Sequence, residues 1–185
     1  MLDPVAVLGA TLEIRTLKTR YFRYIDLNLW RSLRGLFTDD AVLRMPEIWS
    51  EPKSADEAVT SFAAALSVRD SVHTGYDPDI AVTSDSTAHG TWVMDDRLYR
   101  AGTAQALGDH RLIHGFGVYE ETYRREAAGW KIESLLLVRS RVDGFAALDP
   151  AETASRRQRI QSAVSESGSI ETNSGSRNGP APSVS

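Results

Sequence analysis

Cysteine is absent from the 185-residue sequence. Disulfide bonds, thiolate metal ligands and a cysteine nucleophile are therefore excluded within this chain. A lack of cysteine is compatible with the reducing cytoplasm, where we expect the protein to reside. The first residues also lack the basic stretch and the long apolar run of a signal peptide or membrane anchor, so we expect no membrane partner.

Positive charge is in short supply as well. The chain carries 21 Lys and Arg against 25 Asp and Glu, which gives a net charge of −4. The sequence has no basic stripe with interleaved aromatic residues, and the Arg-Arg-Gln-Arg cluster at residues 156–159 is too short to form one. We therefore expect no nucleic-acid partner.

Motifs for cofactors and metals are also missing. The sequence contains no Gly-rich dinucleotide loop, P-loop or Gly-x-Ser-x-Gly motif. Of its four histidines, only His110 and His114 have the spacing of metal ligands on one helix face, and they fall in a segment that is predicted to be a strand. We expect no metal site and no cofactor, which leaves proton transfer with elimination or isomerisation as suitable chemistry.

Apolar residues are plentiful enough for one hydrophobic core. They make up 42% of the chain, and its length favours a single domain, which we place at residues 1–149. Residues 165–185 have almost no large apolar side chain and cannot bury enough surface to offset the entropy of ordering. We predict a C-terminal extension at residues 150–185, disordered from about 165, with a fraying helix at residues 151–164.

Hydrophobic periodicity predicts helices near the N-terminus. A helix is expected from Thr11 to Ile25, and its charged residues, Lys18 among them, are assigned to the solvent-facing side. Asn28 is the predicted cap of a second, short helix. The first helix is expected to bury Leu12, Ile14, Leu17, Tyr21, Phe22 and Ile25, and the second to carry Trp30, Leu33, Leu36 and Phe37.

Strand patterns dominate the rest of the domain. A short strand at residues 41–45 precedes a helix at residues 55–68, for which Ser54 is the expected cap. Long strands are predicted at residues 79–83, 87–100, 111–125 and 129–142. The candidate positions for bends that would let these strands enclose a cavity are Gly90, Gly102, Gly115 and Gly117. This order of elements predicts an α+β fold.

Tyr21, Asp26 and His73 are the candidate acid/base residues. Asp26 falls at the predicted C-terminus of the first helix, where the dipole disfavours a carboxylate unless a cation, a hydrogen-bond donor or solvent compensates. An Asp beside a His fixes its tautomer and stabilises the imidazolium, which is the minimum machinery for removing a proton. The residues alone leave another interpretation open, in which Asp26 lies in a solvated turn and Tyr21 and His73 belong to the core.

Several segments in order resemble the SnoaL-like branch of the nuclear transport factor 2-like superfamily. They are EIRTLKTRYFRYIDLNLW at residues 13–30, LFTDDAV at 36–42, GVYEETYRR at 117–125 and GWKI at 129–132. The resemblance implies a cone-shaped fold in which a strongly curved antiparallel sheet and N-terminal helices enclose one apolar pocket. Within the superfamily, the sequence is most similar to bacterial bile-acid 7α-dehydratases, and more loosely to scytalone dehydratase and hexachlorocyclohexane dehydrochlorinase.

The resemblance also implies functional residues. The family's Tyr, Asp and His fall on Tyr21, Asp26 and His73. In the bile-acid branch, an Asp and an Arg that line the pocket match Asp96 and Arg139. These matches imply that Asp96 and Arg139 position polar groups of a substrate. Strand alternation alone leaves Arg139 free to turn inward toward a carboxylate or outward to solvent.

The sequence departs from the dehydratases at two pocket positions. Their pocket tyrosine falls on Met45, and the second pocket histidine of scytalone dehydratase has no counterpart near Arg97. Met45 and His114 complete the set of candidate substrate-binding residues. The acid/base residues are thus matched, whereas the residues that select a substrate differ.

These observations together predict a cofactor-independent dehydratase, a lyase that removes water from a small hydrophobic, hydroxylated polycyclic or alicyclic keto substrate. His73 would be the general base, Asp26 would orient it, and Tyr21 would donate a hydrogen bond to the leaving hydroxyl or developing oxyanion. A ketosteroid-type isomerase or polyketide cyclase could use the same residues, and a non-catalytic small-molecule-binding or accessory module is the third alternative. The resemblance also suggests a homodimer or homotrimer.

Overall fold

The computed structural model describes residues 2–66, 69–100 and 106–146. The predicted extension at residues 150–185, its helix at 151–164 and Gly102 lie outside these ranges. The elements are helices α1 (Pro4–Asp26), α2 (Trp30–Arg34) and α3 (Ala55–Leu66), and strands β1 (Phe37–Arg44), β2 (Lys53–Ser54), β3 (Arg69–Val82), β4 (Thr87–Arg100), β5 (Ala106–Glu126) and β6 (Gly129–Ala146). No helix in the described part of the chain is both long enough and apolar enough to span a membrane.

The six strands form one curved, open sheet in the order β2-β1-β6-β5-β4-β3. Strands β3 to β6 are antiparallel neighbours, whereas β1 pairs with β6 in parallel. Register shifts interrupt the β3–β4, β5–β6 and β1–β6 pairings, and such bulges bend long strands. The predicted α+β fold with a curved sheet is confirmed.

Helix α1 begins earlier than its periodicity predicted. Asp3 caps it, since its carboxylate accepts hydrogen bonds from the Val5 and Ala6 amides at 3.3 and 3.2 Å, and Pro4 occupies the first turn. The assignment of two side chains was wrong: Lys18 is fully buried, and Leu12 is 55% exposed. The buried stripe of the helix comprises Ala10, Ile14, Leu17, Lys18, Tyr21 and Ile25, residues that lie three or four positions apart and therefore share one face.

The second helix also differs from its prediction. Asn28 adopts a left-handed conformation with φ of 56° and is not the cap, a position that Leu29 occupies. Asn tolerates this conformation better than most residues, so it reverses the chain after α1 instead. Helix α2 ends at Arg34, and Phe37, which was expected in the helix, begins β1 and pairs with Ile132 of β6.

Helix α3 begins with the capping box that the sequence predicted. The Ser54 amide donates to Glu57 Oε2 at 2.9 Å, and the Glu57 amide donates to Ser54 Oγ at 3.4 Å. Two of its buried residues, Phe62 and Leu66, line the cavity described below; the other buried residues are Ala55, Ala58 and Val59.

Removing this cap is expected to weaken the fold modestly. Ser54→Ala should lower the free energy of unfolding by about 1 kcal/mol. The Glu57 amide loses its acceptor, and the Glu57 carboxylate that accepts from the amide of residue 54 is held less firmly. Ser61→Ala is the matched control, since the Ser61 hydroxyl donates only to the Glu57 carbonyl one turn earlier. Urea denaturation of both variants measures the difference, and equal losses would contradict the assigned cap.

Strand β3 is much longer than the predicted strand at residues 79–83. It starts at Arg69 and is interrupted by a register shift between Tyr76 and Asp79, where Asp77 has φ of 47°. Polar residues and Pro78 break the alternation that marks a strand, which is why the sequence pattern missed its first half. That half carries His73. Strand β4, by contrast, has the predicted bounds.

Candidate active site

A cavity of about 260 Å³ lies between the helices and the inner face of the sheet. Its apolar wall consists of Ile25, Met45, Ile48, Phe62, Ala65, Leu66, Leu98 and Leu137. Its polar lining residues are Tyr21, Arg69, His73, Tyr119 and Arg139. An apolar cavity with a few convergent polar groups is typical of a small-molecule site. A second cavity, of about 290 Å³ and lined by residues of β4, β5 and β6, contains none of the candidate acid/base residues.

Asp26 and His73 are in direct contact although they are 47 positions apart. Helix α1 ends at Asp26, and β3 turns Ser71 and His73 toward it because residues two apart share one face of a strand. Asp26 Oδ1 lies 2.6 Å from His73 Nδ1 and accepts from Ser71 Oγ at 2.8 Å, and Oδ2 accepts from the His73 amide at 3.0 Å. These three contacts compensate a carboxylate at a helix C-terminus.

The Asp26 contact determines which nitrogen of His73 can act as a base. An ionised carboxylate only accepts hydrogen bonds, so the proton of the neutral imidazole resides on Nδ1 and Nε2 keeps its lone pair. The His73 side chain is 7% exposed and lines the cavity, whereas the Asp26 side chain lies behind it and is 21% exposed. A His held in this way can take a proton from a bound molecule and is stabilised when charged.

Tyr21 and Tyr119 form a second polar feature of the cavity. Their ring centroids lie 6.1 Å apart at 77°, and both residues are buried. Burial, followed by the charge of Glu121, raises the pKa of Tyr21 above its ordinary value. Burial likewise raises the pKa of Tyr119 well above its ordinary value. Both hydroxyls therefore stay protonated, and because Tyr21 shares a hydrogen bond with Tyr119, the two act as a pair that can donate to a ligand oxygen.

Arg139 and Asp96 form a third feature on the same side of the sheet. Arg139 turns inward from β6 and donates from Nη2 to Asp96 Oδ2 at 2.5 Å. Arg139 lines the cavity, while Asp96 is 1% exposed and lies behind it. Within the described residues, Asp96 Oδ1 has no hydrogen-bond partner. Gly115, directly opposite Asp96 on β5, leaves room for this oxygen.

Adding a methyl group at position 115 is expected to displace Asp96. A Cβ there would lie 2.1 Å from Asp96 Oδ1 and 3.0 Å from Arg139 Nε, and buried side chains cannot move away cheaply. We expect Gly115→Ala to lower the free energy of unfolding by about 1–3 kcal/mol. Gly9→Ala is the control: its Cβ would meet nothing within 4 Å, so this helical substitution should stabilise by up to about 1 kcal/mol. Equal shifts on thermal unfolding would contradict this account.

The other predicted residues divide between the cavity and the opposite face of the sheet. Met45 is buried in the cavity wall. His114 is separated from the cavity, because it alternates with the inward-facing Gly115 on β5. Its Nε2 lies 2.9 Å from Asp95 Oδ1 and its ring packs against Phe116. Of the Asp95 and Asp96 pair, only Asp96 faces inward.

Sequence reasoning missed five residues of this region. They are Lys18, Arg69, Ser71, Tyr119 and Glu121. A usable signal existed for Lys18, which is four residues after Ile14 and three before Tyr21 in the buried stripe. Alternation from Gly117 would likewise have placed Tyr119 and Glu121 on the inner face of β5.

Comparison with known proteins agrees with this architecture. The structure is similar to a candidate scytalone dehydratase from Novosphingobium aromaticivorans, with a TM-score of 0.65 and 16% identity over 76% of this chain and 91% of that one. It is similar to the type 3 hexachlorocyclohexane dehydrochlorinase of Novosphingobium barchaimii LL02, with a TM-score of 0.66 and 16% identity over 80% and 100% of the two chains. It is also similar to a protein from Kribbella flavida, with a TM-score of 0.65 and 20% identity over 73% of this chain and 93% of that one.

The family assignment rests on the sequence itself. The model of the SnoaL-like domain matches residues 6–135, which include most of α1, the first five strands and the start of β6. This span contains Tyr21, Asp26, His73 and Asp96, and ends just before Arg139. The chain belongs to the SnoaL-like domain family, within the nuclear transport factor 2-like superfamily.

Proposed function

We propose that the protein is a cofactor-independent dehydratase that eliminates water from a hydroxylated alicyclic or polycyclic ketone. The observation that carries the proposal is the His73 ring, held by Asp26 through Nδ1 and lining an apolar cavity. Two of the similar structures bear names of eliminating enzymes, a dehydratase and a dehydrochlorinase, and this supports a lyase.

The proposed step begins with proton removal from carbon. His73 Nε2 takes a proton from the carbon next to the substrate carbonyl, because the carbonyl makes that proton more acidic. Asp26 stabilises the resulting imidazolium. The electron pair left on carbon forms the new double bond as the hydroxyl departs from the adjacent carbon. The hydroxyl takes a proton, which the charged His73 can return, and leaves as water. The balance is one ketone in, one unsaturated ketone and one water out.

The tyrosines are suited to the oxygen that gains negative charge. Tyr21 keeps its proton and lines the cavity with His73, so its hydroxyl can donate to the leaving group or to the carbonyl oxygen. Arg139, oriented by Asp96, offers a second donor for a polar group of the substrate. The remaining wall is apolar and favours a hydrocarbon skeleton over a sugar or nucleotide.

A mass-spectrometric screen tests the proposal. Purified full-length protein is incubated with hydroxylated keto-steroids, polyketide aromatics and terpenoid alcohols, with and without a metal chelator. We expect a product lighter by one water from one class of compound, formed equally in the presence of the chelator. Products of unchanged mass would instead support isomerisation or cyclisation. Binding without any product would replace the proposal with a small-molecule-binding module.

A further inference from the structure

A charged pair lies buried next to the candidate site. Lys18 of α1 and Glu121 of β5 form an ion pair in which both side chains are 0% exposed. The second oxygen of Glu121 accepts from the Tyr123 hydroxyl at 2.5 Å, and that hydroxyl accepts from Trp92 Nε1 at 2.8 Å. Glu121 is thus fixed on both sides, and it in turn fixes the Lys18 ammonium.

The ammonium lies against the aromatic rings of the cavity tyrosines. Lys18 Nζ is 3.5 Å from the ring centroid of Tyr119 and 4.3 Å from that of Tyr21. Both tyrosines line the cavity, whereas Lys18 and Glu121 lie behind them. Because a cation is attracted to a ring face, Lys18 restrains both rings from a position outside the cavity lining.

Fold stability is a poor explanation for this pair. Burying two charges carries a desolvation cost that their attraction offsets only in part, and well-packed apolar residues of similar volume are often at least as stabilising. The effect on the tyrosines has a clearer chemical consequence. By contacting both rings, the ammonium fixes the positions of the two phenol groups relative to each other.

We propose that Lys18 is a positioning residue of the site: anchored by Glu121, it holds Tyr21 and Tyr119 as paired hydrogen-bond donors to an oxygen that becomes negative during reaction. This inference rests on the proposed function, since elimination next to a carbonyl places negative charge on such an oxygen. It assigns Tyr119 to the same donor pair as Tyr21. His73 removes the proton, and the tyrosines donate hydrogen bonds to the oxygen on which negative charge develops.

Binding of 4-nitrophenol tests the inference without knowledge of the substrate. The phenol and its phenolate absorb differently, so a pH titration of the bound compound gives its apparent pKa. We expect the full-length protein to prefer the phenolate and to lower this pKa relative to water. Lys18→Met/Glu121→Gln should lose about tenfold of the preference, which raises the bound pKa by about one unit.

The double variant is chosen so that no buried charge is left without a partner. Met has the length of the Lys chain, and Gln can still accept the Tyr123 hydrogen bond, so circular dichroism should report a folded protein. Ile14→Ala is the control for lost packing, because Ile14 is fully buried one turn earlier on the same face. It should lower the melting temperature and leave the bound pKa unchanged. Tyr119→Phe should raise the bound pKa as the double variant does.

Three results would overturn the inference. They are an unchanged bound pKa in the double variant, an equal shift in Ile14→Ala, and no phenolate preference or no binding in the unmodified protein. Failure of the proposed function is distinguishable, because it appears as absent water loss in the product screen while the phenolate measurement still succeeds. Once a substrate is known, the double variant should lower kcat about tenfold with little change in KM.

Discussion

His73→Ala is expected to lower kcat for water loss by about two to four orders of magnitude. Nε2 of His73 carries the lone pair that the Asp26 contact leaves free at the cavity, and alanine offers no replacement base. KM should change little, because the apolar wall that binds the substrate remains intact. Steady-state kinetics on the substrate identified by the screen measure both constants.

His89→Ala is the matched control for this prediction. His89 is exposed on β4, and it alternates with inward-facing residues of that strand, so its side chain is directed away from the cavity. Its loss should leave kcat and KM within about twofold of the unmodified protein. Near-normal turnover in His73→Ala, with a folded protein, would show that another group removes the proton.

Asp26→Asn is expected to have the second large effect, also about two to four orders of magnitude in kcat. The asparagine amide can donate to His73 Nδ1, and the ring proton then moves to Nε2, which abolishes the base at the cavity. An amide also gives no charge stabilisation to the imidazolium. The amide oxygen can still accept from the His73 backbone, and the Ser71 hydroxyl can accept from the amide nitrogen, so the fold should be retained.

The Asp95 and His114 pair provides a close control for Asp26. Asp95 Oδ1 lies 2.9 Å from His114 Nε2, but the two residues face away from the cavity on β4 and β5. Asp95→Asn therefore alters an Asp–His contact of similar geometry without reaching the bound substrate. We expect its kcat to stay within about twofold of the unmodified value. Equal losses in Asp26→Asn and Asp95→Asn would point to a general electrostatic effect.

Local sequence patterns predicted those elements whose residues agree with their environment. Strand β4 alternates inward and outward residues along its length, and its bounds were found without error. The Ser54 cap was found because Glu57 completes it within one turn. The first half of β3 was missed because Gly75 and Pro78 conceal the alternation.

Residue type gave a wrong or incomplete prediction of burial where a contact between distant segments determines it. Lys18 was assigned to solvent because lysine is seldom buried, yet Glu121, 103 positions later, supplies the partner that its burial requires. Asp96 and Arg139 present the same difficulty, since each is charged and lies inside only with the other. No pattern within either segment could reveal such pairs.

The candidate acid/base site was reached by a different route. Asp26 was correctly placed at a helix end from periodicity, but nothing local indicated which residue would compensate it. Its contact with His73 was implied by family resemblance and is seen in the structure. Ser71, which also bonds Asp26, was missed because β3 was predicted to begin after it.

The most direct test of the central claim is a double-variant kinetic cycle on the substrate that loses water. The rates of product formation are compared for the unmodified protein, His73→Ala, Asp26→Asn and the variant carrying both substitutions. If Asp26 acts through His73, the double variant should be about as slow as His73→Ala alone, since the two residues work as a unit. Losses that multiply would contradict the account, because each residue would then contribute independently.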